Sequence, residues 1–174
     1  MRLPIAILLC AAALFAGENT GRRAPGFALP DSKMNFHDLA DSRGKIVLIE
    51  FTQTDCSHCA AFAPILNQVQ QKYADKVVIL AVVNSQHDDG SKVAAYMAGH
   101  KITYPVLFDS GQMEFSYVRK LSVDNPCLFL IDGNGTIRND WSYSPFTRDI
   151  FEGKALFTEI DRLLNASFSA APKK

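Results

Sequence analysis

Ile46-Val47-Leu48-Ile49-Glu50-Phe51-Thr52-Gln53-Thr54-Asp55-Cys56-Ser57-His58-Cys59 is the stretch on which the reading of this chain turns. Its first six residues form a β-rich apolar run of the length of a buried strand. Two cysteines follow, with two residues between them. From residue 60 to 75 the pattern is helical, with Phe62, Ile65, Leu66, Val69 and Tyr73 recurring on one face and Gln and Lys between them. Strand, cysteine pair and helix therefore stand in direct succession. A helix N-terminus offers unsatisfied N–H groups and the positive end of the backbone dipole, and a thiolate at Cys56 would be stabilised there. Cys59, one turn later, can reach the same sulfur and close a disulfide. In this arrangement Cys56 is the exposed nucleophile and Cys59 the buried resolving thiol. A structural disulfide and half of a zinc site are the competing readings. Zinc asks for four ligands, and no second Cys or His pair stands at ligand spacing.

Outward from this stretch, elements alternate. A second buried strand is expected over 77–83, a polar loop over 84–90 and a short helix over 91–98. A third strand follows over 104–108, then a helix over 112–121 and a fourth strand over 127–132. Gly133-Asn134-Gly135 is a hairpin turn, from which a fifth strand over 136–141 pairs back. A helix over 151–164, apolar at Leu156, Phe157, Ile160, Leu163 and Leu164, closes the fold. This order predicts an α/β domain, a central mixed sheet flanked by helices with right-handed parallel crossovers.

The chain of 174 residues suits a single domain. Eighteen Lys and Arg balance eighteen Asp and Glu, so the basic footprint of a nucleic-acid-binding protein is missing. Residues 1–17 differ from the rest. Arg2 is a minimal positive region, residues 3–15 are apolar apart from Pro4, and Ala16 and Gly17 suit a cleavage site. This is the pattern of a secretory signal peptide, and it is shorter than the roughly 20 apolar residues of a membrane span. An uncleaved signal serving as an anchor is the alternative. Cleavage removes Cys10 and leaves Cys56, Cys59 and Cys127 in a compartment where disulfides are made and broken. The expected organisation is a signal peptide over 1–17, a flexible arm over 18–23, the folded domain over 24–164 and a flexible tail over 165–174.

Several motifs carry a resemblance. Ala24-Pro25-Gly26-Phe27-Ala28-Leu29-Pro30-Asp31, Gly44-Lys45 leading into the 46–51 strand, Cys56-Ser57-His58-Cys59 with Pro64 five residues on, Tyr104-Pro105-Val106-Leu107-Phe108-Asp109, and Asn125-Pro126 before Leu128-Phe129-Leu130-Ile131-Asp132-Gly133 together resemble the thioredoxin superfamily, in particular its exported TlpA/ResA/DsbE-like branch. The resemblance covers residues 24–164. It implies a thioredoxin fold with an extra βαβ-type insertion, whose strand is the 104–109 segment, and a cis proline at Pro126. It also implies thiol–disulfide exchange with protein cysteines as substrates, periplasmic or secreted placement, and a membrane electron donor or acceptor. It implies no cofactor and no metal. Three positions depart from the family pattern: Asp55 stands where Trp usually precedes the first cysteine, Cys127 where Thr often follows the proline, and Phe62 where some members have an acid.

On that resemblance, Glu50 is the buried acid of the family. A carboxyl in an apolar site holds its proton to higher pH and can then take the proton of Cys59 during resolution; a strand-end carboxylate reaching solvent is the bland reading. Asn125 and Pro126 would place backbone beside the disulfide, where an extended substrate strand can pair. His58 can charge and stabilise a Cys56 thiolate, while Asp55 opposes it. Cys127 reads as a small buried residue, with a third redox partner or a soft metal ligand as alternatives. His37, His87 and His100 read as surface residues, and Trp141 and Tyr143 as packing. The expected catalytic set is Cys56, Cys59, Glu50, His58 and Pro126. The alternatives to the oxidoreductase reading are an exported copper- or metal-binding module and a thiol peroxidase. Copper carriers on this fold space their cysteines more widely. Peroxidases of the superfamily carry Thr where this chain has Gln53.

Overall fold

In the computed structural model, which describes residues 17–119 and 125–169, the opening stretch lies at the centre of the sheet. Strand β3 (Ile46–Phe51) is buried at every position. On one side β4 (Val77–Asn84) runs parallel to it, with Glu50 opposite Ala81. On the other, β6 (Cys127–Ile131) runs antiparallel, with Phe51 opposite Cys127. β5 (Val106–Asp109) extends the sheet parallel to β4, and β7 (Ile137–Ser142) extends it antiparallel to β6. The order is β5-β4-β3-β6-β7. β1 (Ala28–Pro30) and β2 (Phe36–Asp38) form a separate antiparallel pair. A strand paired on both edges and covered on both faces has no outlet for polar side chains, which accounts for its near-continuous apolar run and makes Glu50 the exception.

The strand alternation divides the interior into two cores. Leu48 and Leu128 face one core with residues of α1 (Ser57–Tyr73), α2 (Gly90–His100), α4 (Arg148–Phe151) and α5 (Lys154–Ser169). Ile49, Phe51 and Phe129 face the other, under α3 (Gln112–Tyr117) and the N-terminal segment.

Where the element bounds differ from expectation, local geometry explains why. α1 begins at Ser57 instead of 60, because Cys56 caps it through its sulfur. β5 begins at Val106, with Pro105, which has no N–H to donate, presenting only its carbonyl to Ala81 N–H at 3.0 Å. The expected helix over 112–121 ends at Tyr117, and Arg119 takes a left-handed conformation. The expected last helix over 151–164 is broken at Gly153, whose φ of 94° favours glycine. A β-carbon there would lie 2.8 Å from the Ile65 side chain. Beyond the break α5 continues to Ser169, five positions into the segment expected as a tail.

Residues 18–23, expected as a flexible arm, are held along β7. Gly21 N–H donates to the Ile137 carbonyl at 2.8 Å, and Ile137 N–H to the Arg22 carbonyl at 2.9 Å. Asn19 reaches both carboxylate oxygens of Asp140. Main-chain pairing of this kind leaves no apolar signature in the sequence. Residues 1–16, with the expected signal peptide and Cys10, and residues 170–174 lie outside the described residues. Among the described residues no helix is long and apolar enough to cross a membrane.

Candidate active site

The head of α1 brings the two cysteines together. Cys56 and Cys59 form a disulfide with their Cα atoms 5.2 Å apart. Cys59 N–H donates to Cys56 Sγ at 3.1 Å, so an unpaired donor of the first helical turn points at the sulfur. The two sulfurs differ in access: Cys59 is fully buried and Cys56 half-buried. The Asn125 carbonyl oxygen lies 3.8 Å from Cys56 Sγ. The Asn125–Pro126 peptide is cis, and the Pro126 carbonyl accepts from Tyr143 N–H at 3.0 Å. The loop before β6 is thereby tied to the end of β7 and held against the disulfide.

Thioredoxin-like architecture of this kind has close parallels. The AhpC/TSA family matches residues 20–140. This chain belongs to the AhpC/TSA family. Among similar proteins, the thiol-disulfide oxidoreductase ResA of Geobacillus thermodenitrificans is 33% identical over 150 residues, covering 79% of this chain and 83% of that one. Thioredoxin-like protein YneN of Bacillus subtilis is 29% identical over 124 residues, 71% of each chain. A solved structure described as the thiol:disulfide interchange protein DsbE of Chlorobium tepidum superposes with a TM-score of 0.66 at 30% identity, covering 79% of this chain and 96% of that one. The chain is a thioredoxin-like thiol–disulfide oxidoreductase, a class whose substrates are protein thiols and disulfides.

The remaining candidate residues fall at different distances from the sulfurs. His58 is exposed, and its ring stacks on Tyr143 with centroids 3.9 Å apart and planes 21° apart. Tyr143 in turn meets Phe151 edge-on at 5.5 Å. Tyr143, read from sequence as packing alone, therefore positions an imidazole of the Cys-x-x-Cys motif. No local pattern links the two residues, since only the return of β7 brings them together.

Glu50 is buried on the sheet face that α1 covers. Burial pushes its carboxyl up to about 8, with the nearby Thr52 hydroxyl pulling the other way. Its Oε1 has no hydrogen-bond partner. Tyr96 and Tyr104, both close enough to sense its charge, were not marked by the sequence. They sit on separate elements, and an aromatic residue in an apolar pattern reads as core.

Cys127 belongs to the opposite core. It opens β6, is buried, and packs with Phe51 and Phe129 on the face away from α1. His37 bonds Asp31 through Nε2 at 3.1 Å, on the β1–β2 pair. Among the described residues, no three His, Cys, Asp or Glu side chains are grouped to hold a metal ion.

Proposed function

We propose that this protein exchanges disulfides with protein thiols outside the cytoplasm through Cys56-Ser57-His58-Cys59. The observation that carries the reading is the unequal access of the two bonded sulfurs at the head of α1, one half-buried beside the Asn125 carbonyl and the other sealed in the core. In the reducing direction the Cys56 thiolate attacks a partner disulfide and forms a mixed disulfide. Cys59 gives its proton to the Glu50 carboxylate and attacks Cys56 Sγ, and the partner leaves as a thiolate. The Asn125–Pro126 backbone docks an extended partner segment against the sulfur. His58, held by Tyr143, stabilises the Cys56 thiolate. The signal-like sequence over residues 1–17 supports export, and in a periplasm or on a cell surface a membrane protein would supply or remove the electrons.

Trapping tests this reading. Cys59→Ser accumulates mixed disulfides through Cys56 with exported proteins, because nothing remains to resolve them, whereas Cys56→Ser traps none. Equal trapping by the two variants would overturn the division of roles. The reduction potential then gives the direction: about −270 mV is thioredoxin-like and reducing, about −120 mV strongly oxidising.

A further inference from the structure

Glu50 does not stand alone on its face of the sheet. Thr52 follows two residues along the same line. The β3–β4 register places Ala81, with only a methyl group, beside Glu50. The Pro105 carbonyl bonds Ala81 N–H, which brings Tyr104 to the same level. Tyr96 comes from α2, close to Thr52 and within electrostatic reach of Glu50 and Asp88; Tyr104 is within electrostatic reach of Glu50 and Tyr96. Asp88 belongs to the turn between β4 and α2, where residues 85–87 and 89 are exposed, and it accepts a hydrogen bond from the Thr54 hydroxyl. Glu50, Thr52, Asp88, Tyr96 and Tyr104 are all at or below 6% exposure. Yet Glu50 Oε1, Thr52 Oγ1, Asp88 Oδ2, Tyr96 Oη and Tyr104 Oη each have no partner within the protein at full hydrogen-bonding distance, even though Thr52 is near enough to influence both Glu50 and Tyr96.

One buried polar group left unpaired costs about 1–3 kcal/mol, so five at one place are a heavy penalty if the site is dry. The usual resolution is buried water, each molecule making about three hydrogen bonds to groups of this kind. Hydroxyls and water both donate and accept, so a chain of them can pass a proton along. We propose that Glu50, Thr52, Tyr96 and Tyr104 bind internal water, and that this water, with Asp88 at its outer end, carries the Cys59 proton from Glu50 to solvent. The inference rests on Glu50 acting as the base for Cys59. The titratable groups within electrostatic reach of Glu50 are Tyr96 of α2 and Tyr104 before β5, and Asp88 reaches Tyr96 in turn; Cys59, the proton donor in this reading, stands in the first turn of α1.

The step balances. Cys59 S–H gives its proton to the Glu50 carboxylate, and the sulfur attacks Cys56 Sγ. The Cys59–Cys56 bond forms as the bond from Cys56 to the partner breaks. The partner sulfur leaves with the electron pair, so the partner is reduced and the cysteine pair oxidised. Glu50, now a carboxylic acid, returns its proton to the adjoining water, and the same proton count leaves at Asp88. Reduction of the pair runs the route backwards.

The test combines the double variant Tyr96→Phe/Tyr104→Phe, which keeps both rings and removes both hydroxyls, with a crystal structure of the wild-type protein. The structure is expected to show ordered water bonded to Glu50 and to at least one tyrosine hydroxyl; a cluster without it overturns the proposal. In the double variant, single-turnover resolution of a mixed disulfide slows several-fold and its solvent deuterium isotope effect grows, while the initial attack by Cys56 keeps its rate. Wild-type resolution and isotope effect would overturn the relay. Glu50→Gln, measured alongside, separates the two levels. If it resolves normally, the base assignment fails; if it is slow while the tyrosine variant is not, only the relay fails. Should the double variant not fold, Tyr96→Phe alone gives the kinetic answer by the same criteria.

Discussion

The two faces of the central sheet bury tyrosines in opposite ways. On the face toward α3, Tyr117 is fully buried, and its hydroxyl donates to the Pro25 carbonyl at 2.7 Å. Its ring packs against Phe51 and Phe129 at 6.1 and 5.2 Å. On the face toward α1, Tyr104 is buried to the same degree, but its hydroxyl has no partner in the protein. The first face is an apolar core with its polar group satisfied, the arrangement that only has to be stable. The second carries a seam of unsatisfied polar groups behind the disulfide. Each unsatisfied buried group asks for an explanation, a catalytic role or bound water among them, and on the proposed mechanism the difference between the faces separates scaffold from reactive side.

The largest effect that can break this contrast is at Glu50. If it is the base for Cys59, Glu50→Gln slows mixed-disulfide resolution on the order of a hundredfold. In the wild type the rate rises with pH as the carboxyl, pushed up to about 8 by burial, ionises. That rise disappears in the variant. Stability moves the other way. The folded-state value of about 8 lies above the reference 4.5, so between these pH values the folded chain holds more protons than the unfolded one. The stabilisation is complete below about 4.5 and is lost as pH rises through about 8. Glu50→Gln carries no charge to bury, so it should melt above the wild type at pH 9, with the gap closing toward pH 5. Thermal melts at the two pH values check this, and identical melts at pH 9 would mean that burial does not disfavour the Glu50 carboxylate.

How far such a site can be read from sequence depends on how local its parts are. The 46–51 run and the Cys56/Cys59 pair are contiguous, so strand, motif and helix were legible together, and Glu50 stood out as one charge among apolar neighbours. The start of α1 was displaced because its cap is a thiol, not the Ser, Thr, Asp or Asn that usually signals a helix N-terminus. Tyr96, Tyr104 and Asp88 were invisible because three elements of a parallel crossover bring them to Glu50, and each fits its own local pattern as core or loop. The stack of His58 on Tyr143 and the pairing of residues 18–23 along β7 depend likewise on contacts remote in sequence.

At the rim of the reactive face the expected effect is smaller. A cation beside Cys56 favours the thiolate, which exists only in the reduced form, and so raises the potential. His58→Pro therefore makes the couple more reducing, by tens of millivolts if the coupling is near 1.4 kcal/mol, which corresponds to about 30 mV for two electrons. Tyr143→Leu, which removes the stack but leaves the imidazole, should move the potential in the same direction by less. Glutathione equilibria on the three proteins measure this. An unchanged potential in His58→Pro would remove the histidine from the site.

On the scaffold face the expected effect is on stability alone. Tyr117→Phe deletes a satisfied hydrogen bond and strands the Pro25 carbonyl, at a cost of about 1 kcal/mol, visible in denaturant unfolding. Resolution kinetics should match the wild type. A slowed resolution would show that the two faces are coupled through the sheet and that the contrast between Tyr117 and Tyr104 is not one of function.

The smallest effect, and the sharpest test of where the boundary runs, is at Cys127. It is a residue of the scaffold face close in sequence to the chemistry, since only Pro126 separates it from Asn125, whose carbonyl lies 3.8 Å from Cys56 Sγ. Strand geometry nevertheless sends its side chain away from α1. It pairs with Phe51 across β3 and packs with Phe51 and Phe129 in the second core, while both bonded sulfurs lie at the head of α1. A thiol on that face behaves as a small apolar side chain. Cys127→Ala should therefore leave the Cys56/Cys59 potential and turnover at wild-type values and cost about 1 kcal/mol of stability through the space it opens in the core. Non-reducing peptide mapping of freshly isolated protein supplies the opposing result. A peptide joining Cys127 to Cys56 or Cys59 would require the start of β6 to turn over within the sheet, and would place Cys127 on the reactive side of the molecule.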